Sequence, residues 1–565
     1  MPEPLANLPH APGLLRSPDQ VMRLARMGAF HQTRLSFMRA LMRRIKREAW
    51  GFERTHWQID ARGVGVGVYR VKTPDHAYSL ICFAHDLPAD QRSDRVIAQA
   101  WDATFTLFDG EPSADDIARL ADNVPKQEAG RVSEHELVLS RANRSVRLFD
   151  HVVDCLSAGC QPARDEIEAV GYLMRTTAVY GNGKFGLADR ERLVDREALS
   201  GPFRLEMLSV YLIRAFTCDL VEHLAQMRAP DRAVPLAPAL RRRLGVGNST
   251  GLGMAPFLVT HPHLLDRWIA AREEGLARVR ALPKAYDQSR MTFREMLTRA
   301  RLGADQWLSA DPRQQARTQG LRADLALLAD HISGAVLEGD FPWDALMRWG
   351  EGALSLEGQE QLVSLMLEPH GELIDDLTRT MSADEEASFR IDGALACGAF
   401  RAQLRERYGW ALDVDYAAQA AQAHFWYVSE EKLEPRLGSR DQEPGAEREQ
   451  PLAVGRDVAA LDARLGEYDA DFGLAQFLIE NPDHRHAVRR VQIAATHPYS
   501  EIRDNLIAQE MLPIDLLRCK LSFFGATRFD PRSDRWVRIT MFQDAPFPHE
   551  IDTMPADDWA YPPLI

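Results

Sequence analysis

The first fifty residues carry apolar side chains at helical spacing. Between residues 17 and 50, apolar positions recur every three or four residues, from Val21 to Met42, which is typical of an amphipathic helix. Ser17 and Asp19 are suitable N-caps for its start. Arginines and one lysine, Lys46, occupy the other side. Because basic stripes are common on solvated surfaces, we expect this side to be a solvated face of a docked helix rather than a membrane-surface helix.

The hydrophobic pattern changes period between residues 56 and 108. Apolar and other residues alternate there, as at Val64, Val66 and Val68, and alternation is typical of half-buried strands. A Thr-Pro-Asp turn at 73–75 separates two of these segments. Since the connections are short, the three or four predicted strands should pair antiparallel.

Helical spacing returns after residue 112 and continues to about residue 385. The segments 113–235, 262–300 and 313–380 all favour helices. A proline-rich break at 231–238 interrupts them. The pattern therefore predicts an all-helical middle region.

The last third of the chain contains both helical spacing and strand alternation. It ends in a predicted hairpin that turns at residues 531–534. Before this hairpin we expect helices at 386–412, 455–480 and 498–520, an extended segment at 424–438 and an exposed polar loop at 438–451.

Together these patterns predict an α+β fold that is predominantly helical. A small antiparallel sheet would lie near the N-terminus and a further strand region near the C-terminus, around a helical middle region. The predicted domains are residues 1–112, 113–385 and 386–565. Segments 82–98 and 426–460 share an order of residue types. Either the C-terminal region is a diverged repeat of the N-terminal one, or this similarity arose by chance.

Charge and hydropathy narrow the range of partners. The chain has 82 acidic and 68 basic residues and a formal net charge of −14, which disfavours nucleic acid and anionic membranes. No apolar run is long enough for a transmembrane helix, and the first residues lack the pattern of a secretory signal.

Six scattered cysteines without a C-x-x-C pair are typical of free thiols in a reducing compartment. We therefore expect a cytoplasmic protein, with a homo-oligomer left open.

Residues 175–191 form the first segment that suggests a binding site. Three glycines, at 181, 183 and 186, allow a ligand to approach the backbone closely. Backbone N–H groups and nearby cationic side chains together make an anion cradle. The alternative is a helix–helix turn with glycine C-caps. The substrate-binding candidates in this segment are Arg175, Thr176, Thr177, Asn182 and Arg190.

Residues 244–262 form the second such segment. Four glycines, at 245, 247, 251 and 253, surround three polar residues. Neither the dinucleotide fingerprint nor the P-loop pattern is complete, so the segment does not predict a nucleotide site. We expect a small-residue loop that grips an anion through backbone N–H groups. Its substrate-binding candidates are Asn248, Ser249 and Thr250.

Histidine spacing does not indicate a metal site. His484 and His486 are two residues apart and do not share a helix face, and H-E-x-x-H is absent. The basic residues between Arg518 and Arg538 would complete an anion pocket if the hairpin folded back over the helices. Ion pairs with neighbouring aspartates are the alternative.

These observations favour a metal-independent cytoplasmic enzyme acting on a small carboxylate or phosphate metabolite. The substrate would lie between the two glycine-rich segments, with Tyr180, Lys184 and His261 as the catalytic candidates. No cofactor is predicted. One alternative is a helical scaffold protein without catalysis. The other is an enzyme that depends on flavin, pyridoxal phosphate or nicotinamide, in which Lys184 would carry a Schiff base.

Overall fold

The computed structural model describes most of the chain, with strands and helices distributed along its length. The described residues are 14–88, 100–123, 133–178, 196–199, 201, 203–251, 258–381, 389–422, 426–428, 435–437, 450–451, 454–503, 513–531, 536–555, 557 and 559–561. The strands are β1 (Gly51–Ile59), β2 (Gly65–Lys72), β3 (Ala77–Ala84), β4 (Ala103–Asp109), β5 (Glu136–Arg144), β6 (Tyr172–Thr176), β7 (Gly245–Gly251), β8 (Trp426–Val428), β9 (Pro435–Leu437), β10 (Gln450–Pro451), β11 (Ala526–Pro531) and β12 (Trp536–Met541).

The α-helices are distributed along the whole chain. They are α1 (Pro18–Val21), α2 (Phe37–Arg47), α3 (Ala114–Asn123), α4 (Phe149–Ser157), α5 (Arg164–Val170), α6 (Arg204–Arg228), α7 (Pro238–Arg242), α8 (Pro262–Arg280), α9 (Asp287–Asp305), α10 (Pro312–His331), α11 (Pro342–Ala353), α12 (Leu356–Leu367), α13 (Gly371–Ile374), α14 (Cys397–Leu412), α15 (Gln419–Gln422), α16 (Val454–Leu465), α17 (Leu474–Glu480), α18 (Arg485–Thr496) and α19 (Pro513–Cys519).

Nine strands form one mixed sheet in the order β1-β2-β3-β4-β5-β6-β7-β12-β11. Strands β6 and β7 run parallel, while the other neighbours are antiparallel. The α+β class is therefore correct. The predicted small antiparallel sheet with a separate C-terminal strand region is wrong, because strands from the N-terminal, middle and C-terminal parts of the chain share this sheet.

Three strands of the sheet come from the region predicted to be all-helical. Strands β5 and β6 are buried over most of their length, so their apolar residues do not alternate. A short apolar run without alternation cannot be distinguished from a helix by its period. Strand β7 is rich in glycine, which has a low strand propensity, and its neighbours β6 and β12 hold it in the sheet.

Other predicted elements are confirmed. Strands β1 to β4 form the antiparallel N-terminal part of the sheet, and the predicted turn closes with Thr73 N donating to His76 O at 2.8 Å. The C-terminal hairpin is formed by β11 and β12. Helices α8 to α12 occupy the segments in which helical spacing was clearest.

Helix α6 lies at the centre of the main hydrophobic core. Its residues are buried around most of its circumference, and it packs against β3, β5, β6 and β7. The ring of Phe216 contacts that of Phe105 on β4, with centroids 5.5 Å apart. The buried guanidinium of Arg214 donates to the carbonyls of Leu244 at 2.6 Å and Ala545 at 2.8 Å. This arginine therefore joins the helix to the start of β7 and to the C-terminal segment.

Helices from the C-terminal region form a second, smaller core. Phe400 of α14, Val458 of α16 and Val491 of α18 are fully buried within it. Strands β10, β8 and β9 form a separate three-stranded sheet in this part of the chain. A second set of apolar side chains is thus buried independently of the nine-stranded sheet.

The predicted N-terminal helix is divided, and part of its basic side is covered by other elements. A 3₁₀ turn at Leu24–Arg26 separates α1 from α2. Arg39 donates to Glu368 at 2.7 Å and 2.9 Å, and Arg34 donates to Asp375 at 2.8 Å. The expected solvated face is wrong for these arginines, because carboxylates more than three hundred residues away cover them.

Arg16 occupies the centre of a second buried ion network. Its guanidinium donates to Glu273 at 2.8 Å and to Glu360 at 2.7 Å, and Arg26 and Arg272 also approach Glu360. Burial alone would raise the pKa of Glu360, but Arg16 and Arg272 lower this pKa to about 2. The N-terminal segment is thereby fastened to α8 and α12.

Two observations bear on the predicted compartment. All six cysteines are free thiols, as predicted. In the ranges that the structure describes, no helix combines the length and the hydropathy needed to cross a bilayer.

Replacing Glu360 by Gln tests this ion network. The variant keeps the shape of the side chain but leaves three arginines around one remaining carboxylate. We expect the free energy of unfolding at pH 7 to fall by about 3–5 kcal/mol, measured by chemical denaturation. Because the pKa of Glu360 is depressed, its contribution is present above pH 4.5 and is lost as the pH falls toward 2.

Asp340→Asn is the matched control for this prediction. Asp340 pairs with Lys284 at the surface, where both side chains are exposed. Removing such a pair should leave the unfolding midpoint nearly unchanged. An equal loss of stability in the two variants would show that the buried network has no special role.

Candidate functional site

The parallel pair β6–β7 brings Arg175 from the first predicted segment and Gly247 from the second onto neighbouring strands. Arg175 of β6 pairs with Gly247 of β7, so both strands end at the same edge. Arg175 and Thr176 lie at the carboxyl end of β6, and residues 245–251 of the second segment form β7. The carboxyl ends of parallel strands are a frequent location of ligand sites.

Arg175 is buried in the middle of this arrangement. It lies opposite Asn143 on β5 and opposite Gly247 on β7, and directly opposed residues share a face of the sheet. A Cβ atom at position 247 would lie 2.5 Å from the ring of Tyr172. The glycine therefore leaves room for the tyrosine ring beside Arg175.

Polar side chains continue across the same face on β4 and β5. Thr104 pairs with Arg141, and the Nε2 atom of His85 lies 3.2 Å from Thr104 Oγ1. The guanidinium of Arg141 stacks on Trp101 at 4.8 Å. Five residues form this polar strand face: His85, Thr104, Arg141, Asn143 and Arg175.

Asp102 borders this face and is already engaged. Its backbone N–H donates to Asn143 Oδ1 at 3.0 Å, and its Oδ2 atom accepts from the backbone N–H of Arg144 at 2.9 Å. The Arg144 guanidinium lies 3.8 Å from its Oδ1 atom. Arg141 and Arg175 therefore place two guanidinium groups on the polar strand face, and the carboxylate at its border lies near Arg144.

His85 adds a neutral acid–base group to the face. Burial lowers the pKa of His85, and the charge of Asp102 acts in the opposite direction. The net lowering keeps the imidazole neutral at pH 7. A neutral imidazole can accept a proton from a bound molecule.

The predicted site residues on β6 and β7 are divided between two faces. Asn248 pairs with Ile539 on β12, and both are buried in the direction of the main core. Thr176 alternates with Arg175 and so lies on the core side as well. Arg175, Thr176 and Asn248 therefore lie on neighbouring strands. Arg175 lies on the polar strand face, whereas Thr176 and Asn248 lie on the core side of the sheet.

The predicted loop at 245–253 is wrong as far as residue 251. Residues 245–251 form β7, whose neighbours are β6 and β12. Backbone N–H groups committed to a sheet ladder cannot also bind an anion. Ser249 and Thr250 have their backbones in this strand, paired with Arg538 and Val537.

The other predicted site residues lie elsewhere. Thr177 bonds to β5, where its Oγ1 atom accepts from the backbone N–H of Arg141 at 3.2 Å. His261 precedes α8, and its Nδ1 atom lies 3.0 Å from Thr260 Oγ1. Outside the described residues are Tyr180, Asn182, Lys184 and Arg190.

Sequence reasoning missed four members of the polar strand face. Arg141 and Asn143 were overlooked because β5 was assigned to a helical region. Thr104 lies in a correctly predicted strand, but a threonine on a strand is no signal of a site. Arg141 and Asn143 are two residues apart and follow an apolar run. In a strand this spacing places both side chains on one face, and it was the signal that could have identified them.

Lys520 is a second buried polar group, on the core side of the sheet. Its amine is fully buried and has no hydrogen-bond acceptor among the described residues. Arg518 and Cys519 bond to the carbonyls of Leu24 and Met27. Lys520 lies on the other side of this helical segment, which packs against β7 and β12. Burial lowers the pKa of Lys520 to about 7.

Neither a metal cluster nor a known relative assigns a function. Within the described ranges, no three His, Cys, Asp or Glu side chains are grouped to hold a metal ion. Comparisons with protein-family models, with curated proteins and with solved structures found no match for this chain. The geometry of the polar strand face is therefore the basis for assigning a function.

Gly247→Ala tests the packing beside Arg175. The new methyl group would overlap the Tyr172 ring, and overpacking of this kind costs about 1–3 kcal/mol. We expect a lower thermal midpoint, which Tyr172→Ala should partly restore. Gly320→Ala is the control, because a Cβ at this helical position meets no atom within 4 Å. A loss in Gly320→Ala as large as that in Gly247→Ala would contradict the packing argument.

Lys520→Met tests whether the buried amine titrates. Since the pKa of Lys520 falls from 10.5 to about 7 on folding, the wild-type protein should gain stability as the pH rises from 7 toward 10.5. Between pH 7 and pH 9 this gain amounts to about 2 kcal/mol. The Met variant should lack the gain in chemical denaturation, while Lys284→Met, at an exposed site, should retain it. Parallel pH profiles for wild type and Lys520→Met would refute the prediction.

Proposed function

We propose that the protein is an enzyme that binds a small carboxylate or phosphate on the polar strand face. His85 would accept a proton from the bound molecule. The observation that carries this proposal is the position of Arg175, a buried arginine at the carboxyl end of a parallel strand pair. A guanidinium presents a planar fork of donors that matches carboxylate and phosphate oxygens. The ligand would approach Arg175 from the strand edge.

The local charge supports an anion over a cation. Arg141 and Arg175 lie on this face, and the carboxylate of Asp102 at its border is offset by Arg144. A charge in a partly desolvated position interacts more strongly than it does in water. This local field acts against the overall charge of −14, so selection of an anion depends on short-range contacts with these arginines.

The polar neighbours suggest how a bound molecule would be oriented. Asn143 lies opposite Arg175, and its amide is held in place by the backbone N–H of Asp102 at 3.0 Å and the carbonyl of Ala100 at 3.4 Å. His85 is the proposed proton acceptor, because its imidazole is neutral and lies 3.2 Å from Thr104. The roles predicted for Tyr180 and Lys184 belong to the same proposal as additional acid–base groups, whereas His261, which precedes α8, has no role in it.

Ligand-induced stabilisation of two Arg175 variants tests the proposal. The wild-type protein should show a rise in Tm with phosphate or small carboxylates, since binding to the folded state stabilises it by mass action. Arg175→Gln removes the charge and should weaken binding about tenfold or more. Arg175→Lys keeps the charge without the fork and should give an intermediate response.

Arg54→Gln is the control for this experiment. Arg54 lies on β1, where it bonds to Asp219 and stacks on Trp57, so its loss should leave the ligand response unchanged. Each variant is compared with itself in the absence of ligand, which separates binding from altered stability. A flat wild-type response across the panel, or an undiminished response of Arg175→Gln, would refute the proposal.

A further inference from the structure

A cavity of about 280 Å³ lies near the amino ends of β6 and β7, at the opposite end of these strands from the carboxyl edge. It is bounded by α5, α7 and the C-terminal segment that follows β12. Its polar lining includes Arg164, Arg242, Arg243 and Asp544, and its apolar lining includes Leu240 and Trp559. The volume is close to the lower end of ligand-pocket volumes, so the space suits a compact molecule.

Two of the three arginines have close carboxylate partners. Arg164 donates to Glu168 at 2.8 Å, and Arg243 donates to Asp544 at 3.0 Å. Each pair engages one N–H group of its guanidinium with a carboxylate, and the carboxylate partly offsets the charge that a further anion would meet.

Arg242 differs from its neighbours in the cavity wall. Its Nη1 atom donates to the Met554 sulfur at 3.6 Å, a weak acceptor. Its Nε atom is buried without a hydrogen-bond partner among the described residues, and the closest Glu550 oxygen lies 3.5 Å away. Arg242 thus differs from Arg164 and Arg243 because no carboxylate hydrogen bond to its guanidinium is found among the described residues.

The backbone around Arg242 is held rigidly. Its carbonyl accepts from the N–H of Asp544 at 2.7 Å and from the guanidinium of Arg214 at 2.9 Å. Arg214 also binds the carbonyl of Ala545 and lies over the ring of Phe547 at 3.9 Å. A site with fixed walls loses little conformational entropy when a ligand binds.

We propose that this cavity binds a compact carboxylate that carries an apolar group, with the carboxylate on Arg242 and the apolar group against Leu240 and Trp559. The cavity would be a second ligand site, separate from the polar strand face. A carboxylate satisfies the guanidinium of Arg242 better than the thioether sulfur does. The apolar walls favour a ligand with a ring or an aliphatic chain over a bare anion.

Isothermal titration of the full-length protein with phenylacetate tests this site. The wild-type protein should bind phenylacetate, and it should bind benzyl alcohol and inorganic phosphate more weakly, since each of these lacks one of the two features. Arg242→Gln should raise the Kd for phenylacetate about tenfold or more. Ala239→Trp should abolish binding by filling the cavity, because Ala239 lines it.

Two further variants separate this site from alternatives. Arg164→Gln should leave the Kd within about twofold of wild type, because the guanidinium of Arg164 is already engaged by Glu168. Arg175→Gln separates this site from the polar strand face, because it should change the Kd for phenylacetate less than Arg242→Gln does. No binding by the wild-type protein, or binding unchanged in both Arg242→Gln and Ala239→Trp, would overturn the proposal. Loss of binding in Arg175→Gln would also overturn it, by placing the ligand on the strand face.

Discussion

The burial of helix α6 is the constraint on which the rest of the fold depends. A helix that is buried around most of its circumference needs partners on several sides, and the nine-stranded sheet, α2 and α4 supply them. Arg214 shows how the polar groups of this interior are managed. Its guanidinium is fully buried, yet it donates to carbonyls of α7, the start of β7 and the C-terminal segment. Since an unpaired buried charge is very costly, these elements must stay together around α6.

The first and last residues of the described chain are fastened to the helices by charge as well as by apolar contact. Arg16 joins the N-terminal segment to α8 and α12, and Arg39 joins α2 to Glu368 and Asp557. These pairs span hundreds of residues of sequence. These pairs disfavour other packing arrangements, because a buried guanidinium without a carboxylate beside it is costly.

The sheet separates two kinds of polar environment at its centre. On one face, Arg141 and Arg175 lie beside neutral His85 and the amide of Asn143. On the core side, Lys520 is buried without a charged partner among the described residues, and burial alone lowers its pKa. The same strands carry a cavity with arginines near their amino ends. Both proposed sites thus use arginines that the sheet, or the turns leading into it, hold in place.

Local sequence determined the strands and helices whose period was regular. Alternation predicted β1 to β4, the turn residues predicted the C-terminal hairpin, and helical spacing predicted α8 to α12. Arg175 was also accessible as a candidate, because it lies near a cluster of glycines and cations in sequence. These features depend on residues close together in the chain, where spacing alone carries the information.

Tertiary structure decided which strands share a sheet and which polar residues share a face. Strands β5 and β6 are buried over most of their length and so lose the alternation that would reveal them, and β7 is a strand because β6 and β12 occupy both of its edges. Sequence spacing could not show that Asn143 lies opposite Arg175, or that Arg242 lies beside Met554. Such pairings depend on the register of distant strands and on which carbonyls and carboxylates surround a buried charge, and only the folded chain specifies these.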